Sequence, residues 1–211
     1  MSDAFIPSPQ DIERVGRFLD TISRGVVTEL SQLLGQQVAY WRFKNAVNTA
    51  LKAQTFLESK GLRTQQLSAE LRVIVPLIEG ASYEDEPNLQ NMWASLLAAS
   101  ISPEFDAAMH PKYSEVLKQI SPLEAQLLND IYNRKQERVR HGWVYAILES
   151  ESWKYILGIT NQELQPFFVN LDRLNLIQMV DGRGEEGYFL SSISVRPFLL
   201  DFMERCTYGR K

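Results

Sequence analysis

At 211 residues the chain is long enough for one large domain or two small ones. It is 45% apolar and 23% charged, which places it among globular chains rather than disordered ones. Its net charge of −4 is spread evenly: residues 1–121 carry 11 basic and 14 acidic side chains, and residues 122–211 carry 11 and 12. Neither half has the basic excess that marks most nucleic-acid binders.

A single cysteine, Cys206, excludes an intramolecular disulfide and favours a cytoplasmic location. The opening MSDAFIPSPQDIER lacks a basic segment followed by an apolar run, so no secretory signal is expected. No run of about 20 apolar residues occurs, so no membrane-spanning helix is expected either.

In chain order, Ser8 and Pro9 read as the cap and first position of a helix. Ile12, Val15, Phe18, Leu19, Ile22, Val26, Leu30, Leu33 and Leu34 keep helical spacing up to Gly35, with Gly25 a point of interruption. Residues 36–60 predict a second helix, buried through Phe43, Val47, Ala50, Leu51 and Leu57 and ended by Gly61. Its Arg42, Lys44, Lys52 and Lys60 read as a solvated face rather than a binding stripe. A third helix over 68–81 sets Leu71, Val75 and Ile78 on one side and carries Pro76 inside, where it should kink.

The stretch NLQNMWASLLAASISP, residues 88–103, contains no charged residue. Leu89, Met92, Trp93, Leu96 and Leu97 fall at i, i+3, i+4, i+7 and i+8. The opposite face carries Ala94, Ser95, Ala98, Ala99 and Ser100, small enough to let a neighbour approach closely. A helix without a charged face is a buried helix, so the first domain should pack around this one. Asp85 is the expected cap, and Glu84 and Glu86 put negative charge at the positive end of the helix dipole. Tyr113, Val116, Leu117 and Ile120 then mark a further short helix after His110 and Pro111.

Ser121, Pro122 and Glu124 fit a capping box and open a helix through Leu127, Leu128 and Ile131. The boundary falls here, giving domains 1–120 and 121–211. Beyond it lie a basic run, NRKQERVRH (133–141), a helix from Thr160 through Phe168, Leu171 and Leu174, a strand over 176–180, a turn at Asp181, Gly182, Arg183 and Gly184, and a strand over 188–190. A last helix over 195–206 turns Phe198, Leu199, Phe202 and Met203 inward. The expected fold is mainly α: an N-terminal helical bundle around a buried central helix, followed by a winged-helix-like α+β domain.

The stretch from Leu71 to Leu128 resembles the prokaryotic Abi-alpha (abortive infection alpha) family. The resemblance is carried by VPLIEGASYEDEPNLQNMWASLLAAS (75–100) and HPKYSEVLKQISPLEAQLL (110–128), in the order acidic turn, MWASLL helix, HP, SPLEAQLL. NLDRLNLIQ (170–178) is similar to the family's strand-entry segment. The resemblance implies a bacterial cytosolic protein of phage defence. It brings no catalytic residue, because its motif positions are core and cap residues.

The residues themselves point away from an enzyme. Two histidines, His110 and His141, and one cysteine are too few for the common zinc patterns, and neither HExxH nor CxxC occurs. No P-loop and no GxSxG occurs. Glu84, Asp85 and Glu86 read as helix-dipole partners rather than metal ligands, and Trp93 as a core anchor. No catalytic, cofactor or metal residue is assigned. The expectation is a non-enzymatic binding or adaptor protein, acting through protein partners or self-association and not through a membrane. The alternative is a winged-helix DNA-binding regulator. Its recognition helix, NQELQPFFVNLDRLN (161–175), carries a net charge of −1, poor for phosphate contacts. Its candidate nucleic-acid patch is Arg134, Lys135, Arg138 and Arg140, with Arg183 on the hairpin.

Overall fold

The computed structural model describes residues 5–23, 40–63, 67–105, 112–134, 139–140, 143–144, 161–184 and 187–210. At 134, 139–140, 143–144, 161–162, 180–184 and 187–192 the description is of backbone alone. The described residues are mainly helical, with short antiparallel strand pairs. They fall into two compact units, Met1–Gln119 together with Arg205–Lys211, and Ile120–Glu204.

In the first unit, α1 spans Pro9–Ile22. Ser8 caps it as its sequence requires. The Ser8 Oγ accepts the Asp11 N–H at 3.2 Å, and the Asp11 carboxylate accepts the Ser8 N–H at 2.8 Å and its hydroxyl at 2.7 Å. These bonds hold the Asp11 carboxyl below the usual carboxylate range. Val15, Phe18, Leu19 and Ile22 are buried, while Ile12 faces outward. The helix ends on Ser23, before Gly25; the expected continuation through Val26, Leu30, Leu33 and Leu34 lies outside the described residues.

Helix α2 spans Tyr40–Ser59. Gly61 terminates it with φ +73°, the Gly61 N–H donating to the Glu58 carbonyl at 2.9 Å and the Leu62 N–H to the Leu57 carbonyl at 3.1 Å. This is the paired Schellman arrangement, and it depends on a left-handed residue at that point. Gly61→Ala leaves open space around the new methyl group, so only the backbone conformation is penalised. The expected cost is about 1 kcal/mol in chemical denaturation, with the cooperativity of unfolding unchanged.

Helix α3, Leu71–Ser82, buries Ile74, Leu77, Ile78 and Ala81. Leu71 and Val75 are only half-buried, so the inward face is rotated from the expected one. Pro76 lies inside the helix.

Helix α4, Pro87–Ile101, is where the unit's helices converge: it lies against α2, α3 and α5, the last spanning Lys112–Leu117. Leu89, Met92, Trp93, Leu96 and Leu97 are each no more than 2% exposed, and Ala94, Ser95 and Ala98 on the opposite face are sealed as completely. Its cap is Glu86, not Asp85. The Glu86 carboxylate accepts the Leu89 N–H at 2.7 Å. Pro87 fixes this choice, because a proline is pre-organised for the first helical position and the cap is the residue before it.

In the second unit, α6 spans Pro122–Arg134 and opens on a complete capping box. The Ser121 N–H donates to Glu124 Oε2 at 2.6 Å, and the Glu124 N–H to Ser121 Oγ at 3.3 Å. Strands β1 (Val139–Arg140) and β2 (Trp143–Val144) pair antiparallel. Helix α7 spans Asn161–Arg173 and carries Pro166 inside it. Asn175, at φ +61°, leads into β3 (Ile177–Gly184), which pairs antiparallel with β4 (Gly187–Val195).

This hairpin is longer than expected. Asp181, Gly182, Arg183 and Gly184 are not a turn; they pair with Leu190, Phe189, Tyr188 and Gly187 beyond an irregularity between Val180 and Asp181. A bulge of this kind lets turn-type residues continue a ladder. Helix α8, Pro197–Cys206, buries Leu199, Phe202 and Met203, while Phe198 is half-buried.

Candidate functional site

Helix α2 carries Asn45, Asn48, Thr49 and Lys52 at i, i+3, i+4 and i+7. That spacing usually bears apolar residues toward a core, yet here Asn45 and Thr49 are each 1% exposed. The buried amides find their partners on and beside α4. Gln90 Oε1 accepts from Asn48 Nδ2 at 2.7 Å and from Lys52 Nζ at 3.4 Å. Gln90 Nε2 donates to the Glu84 carbonyl at 2.8 Å and reaches Asn45 Oδ1 at 3.5 Å.

Asn45 Nδ2 in turn donates to the Ser82 carbonyl at 3.3 Å. The network ties α2 to the acidic turn between α3 and α4. In that turn the half-buried Glu84 carboxylate accepts the Glu86 N–H at 2.9 Å. Burial pushes the Glu84 carboxyl up; this N–H opposes the shift, and the Asp85 and Glu86 charges add to it.

An aromatic group stands on the solvent side of this turn. Tyr40 is 62% exposed, Trp41 47% and Tyr83 57%. The Trp41 and Tyr83 rings pack edge to face, with centroids 6.2 Å apart. The Arg42 guanidinium lies 3.8 Å from the Tyr83 ring centroid and donates to Ser82 Oγ at 3.1 and 3.2 Å. The Tyr83 ring is therefore contacted by both Trp41 and Arg42 while remaining open to solvent. Arg42 and Lys52, expected on a solvated helix face, are half-buried members of these two groups.

The tail after α8 docks within the first unit. Tyr208 OH shares a 2.8 Å hydrogen bond with Ser102 Oγ, and its ring meets Phe105 edge-on at 5.2 Å. Gly209, at φ +74°, lies against Phe56, where a Cβ would come within 3.0 Å of the Phe56 Cα. Arg210 Nε donates to Ser95 Oγ at 3.1 Å, so the small-residue face of α4 admits a side chain of the tail. Cys206 is fully buried, and burial pushes its thiol far above the ordinary range.

Among the sequence candidates, Lys135 and Arg138 lie outside the described residues, as does His110. Arg134 sits in the last turn of α6, Arg140 in β1 and Arg183 in β3; their side chains lie outside the description. The amide network and the aromatic group were missed in the sequence. The only signal for the network was polar residues at core spacing on α2.

These features define a mainly helical protein with an exposed aromatic and arginine group beside a buried amide network. Among the described residues no helix is long and apolar enough to cross a membrane, and no group of three or more His, Cys, Asp or Glu is placed to hold a metal ion. The chain belongs to the abortive infection alpha family: the model of that family matches residues 44–208. Membership points to a role related to abortive infection. No curated protein and no solved structure matches the chain.

Proposed function

We propose that the chain is a non-enzymatic binding or adaptor protein of abortive phage defence, acting in the cytoplasm through a protein partner or a second copy of itself. The observation that supports a binding role is the group Tyr40, Trp41, Arg42 and Tyr83. Aromatic residues and arginine are enriched at the centres of protein interfaces. The Tyr83 ring, already contacted by Trp41 and Arg42, loses less freedom on binding than an uncontacted ring would. The experiment is a pull-down of the tagged protein at native expression level, with and without nuclease, comparing wild type with the Trp41→Ala, Tyr83→Ala double variant. A stoichiometric protein partner, or self-association seen by sedimentation, should survive nuclease and weaken by roughly 30-fold in the double variant. The melting temperature should stay within about 2 °C of wild type, since both side chains are largely exposed.

The second reading is a winged-helix DNA-binding regulator. It is favoured by the order of α6, the β1–β2 pair, α7, the β3–β4 hairpin and α8. On α7 the exposed Glu163 and half-buried Asp172 oppose phosphate contact. Under this reading nuclease removes the bound material, and charge reversal at Arg134, Lys135, Arg138 and Arg140 abolishes salt-sensitive duplex binding. That result, with no protein retained, would refute the adaptor reading.

A further inference from the structure

The exposed rings of the first unit stand in a stretch of one charge sign. The sequence holds no Lys or Arg between Arg72 and Lys112, while Glu79, Glu84, Asp85 and Glu86 fall within eight residues around Tyr83. Among the described residues none of these four carboxylates forms an ion pair. Glu84 and Glu86 are engaged on backbone, accepting the Glu86 and Leu89 N–H groups. Glu79 and Asp85 are exposed. Tyr83 keeps helical backbone angles as the C-cap of α3, so Glu79, four residues back, lies on the same side about 6 Å away. The Cα of Asp85, two residues on, is within about 7.6 Å of that of Tyr83.

Arg42 shows what these rings accept. Its guanidinium lies 3.8 Å from the Tyr83 ring centroid, held there by Ser82 Oγ, and it pairs with none of the four carboxylates. Trp41 packs against Tyr83 at 6.2 Å and is itself half exposed. Indole is the best cation platform among the side chains, yet among the described residues no cation lies over this one. A positive side chain placed here gains from the ring quadrupole and from the nearby carboxylates together. An acidic segment would meet like charge. So would the same face of a second copy, which brings the same carboxylates against these.

We propose that this surface binds a lysine- or arginine-bearing segment of a protein partner, with the cation on the Trp41 indole and Glu79 and Asp85 as its counter-charges. The inference rests on the binding role proposed above for the aromatic group and names the chemistry of its partner.

The test is fluorescence anisotropy on the full chain with two dye-labelled peptides, one of alternating glycine and arginine, the other with glutamine at each arginine position. The arginine peptide should bind at least about tenfold more tightly. Trp41→Ala should weaken it by about fivefold to tenfold. Glu79→Gln with Asp85→Asn should weaken it by about tenfold. Glu13→Gln with Glu58→Gln removes the same charge elsewhere, Glu58 being about 25 Å from Trp41 along α2, and should leave affinity within about twofold. Every substituted side chain is exposed, so all variants should melt within about 2 °C of wild type. Equal affinity for the two peptides overturns the inference, as does equal weakening by the two carboxylate pairs. The pull-down described above separates it from the reading beneath it. Loss of the partner with Trp41→Ala, Tyr83→Ala but not with Glu79→Gln, Asp85→Asn refutes a cationic partner and leaves the binding role standing. Retention in both variants refutes both.

Discussion

Trp93→Ala is expected to lower the melting temperature by about 10 °C, from a loss of roughly 3–5 kcal/mol. Trp93 is 2% exposed at the middle of α4, where α2, α3 and α5 all meet that helix. Its six-membered ring lies against Gly80 of α3. A Cβ built at Gly80 would stand 2.9 Å from Cζ2 and 3.0 Å from Cζ3, and closer still to Cη2. Gly80 is therefore glycine because the indole occupies the space of its side chain.

This contact gives a sharper test than truncation alone. In wild type, Gly80→Ala gains about 1 kcal/mol of helix propensity but forces the ring aside in a sealed core, at a cost of roughly 1–3 kcal/mol. The net effect is destabilising. In a Trp93→Leu background the obstruction is gone, and the same Gly80→Ala change should become stabilising. A double-mutant cycle by urea denaturation reads this reversal of sign directly. Equal effects of Gly80→Ala in the two backgrounds would show that the ring and the glycine do not meet.

The centre of the first unit could be read from residues 88–103 because an uncharged helix admits only a buried position. The capping boxes and the Gly61 stop were legible for a similar reason: their chemistry is local and complete within four or five residues. Errors arose where the sequence signal was locally ambiguous. In LRVIVPLI nearly every residue from Leu71 to Ile78 is apolar, so the periodicity does not distinguish a face through Leu71 and Val75 from the true one through Ile74 and Leu77. In the hairpin, Asp181 and Gly182 carry turn chemistry, but the irregularity after Val180 draws them into the ladder.

The polar site was illegible for a different reason. Asn45, Asn48 and Gln90 are ordinary surface residue types until their partners, about 40 positions away in the chain, are known. Arg210 is further removed still, 115 positions from the serine it meets. Long-range satisfaction of polar groups leaves no periodic trace.

Glu124→Ala should cost about 2–4 kcal/mol, the second largest effect expected from a single substitution. The Glu124 side chain is only 3% exposed, and both its oxygens are used. Oε2 accepts the Ser121 N–H at 2.6 Å, and Oε1 accepts Asn170 Nδ2 at 2.7 Å. Asn170 Oδ1 in turn accepts two bonds from the Arg173 guanidinium, at 2.7 and 3.2 Å. The buried carboxylate is thus linked to an exposed cation through one amide, joining the first turn of α6 to the last turns of α7. Alanine leaves the Ser121 amide and the Asn170 amide facing an apolar space, and both lose a charged acceptor. Glutamine should cost less, because it keeps an acceptor for one donor while setting its own NH2 against the other. The expected order of stability is wild type, Glu124→Gln, then Glu124→Ala, measured by urea denaturation. Native-state hydrogen exchange locates the loss: the Ser121 amide should exchange faster in both variants, and the α6 amides that follow it should lose protection in the alanine variant. An unchanged unfolding midpoint for Glu124→Ala would mean that this carboxylate is a peripheral cap and does not join the two helices.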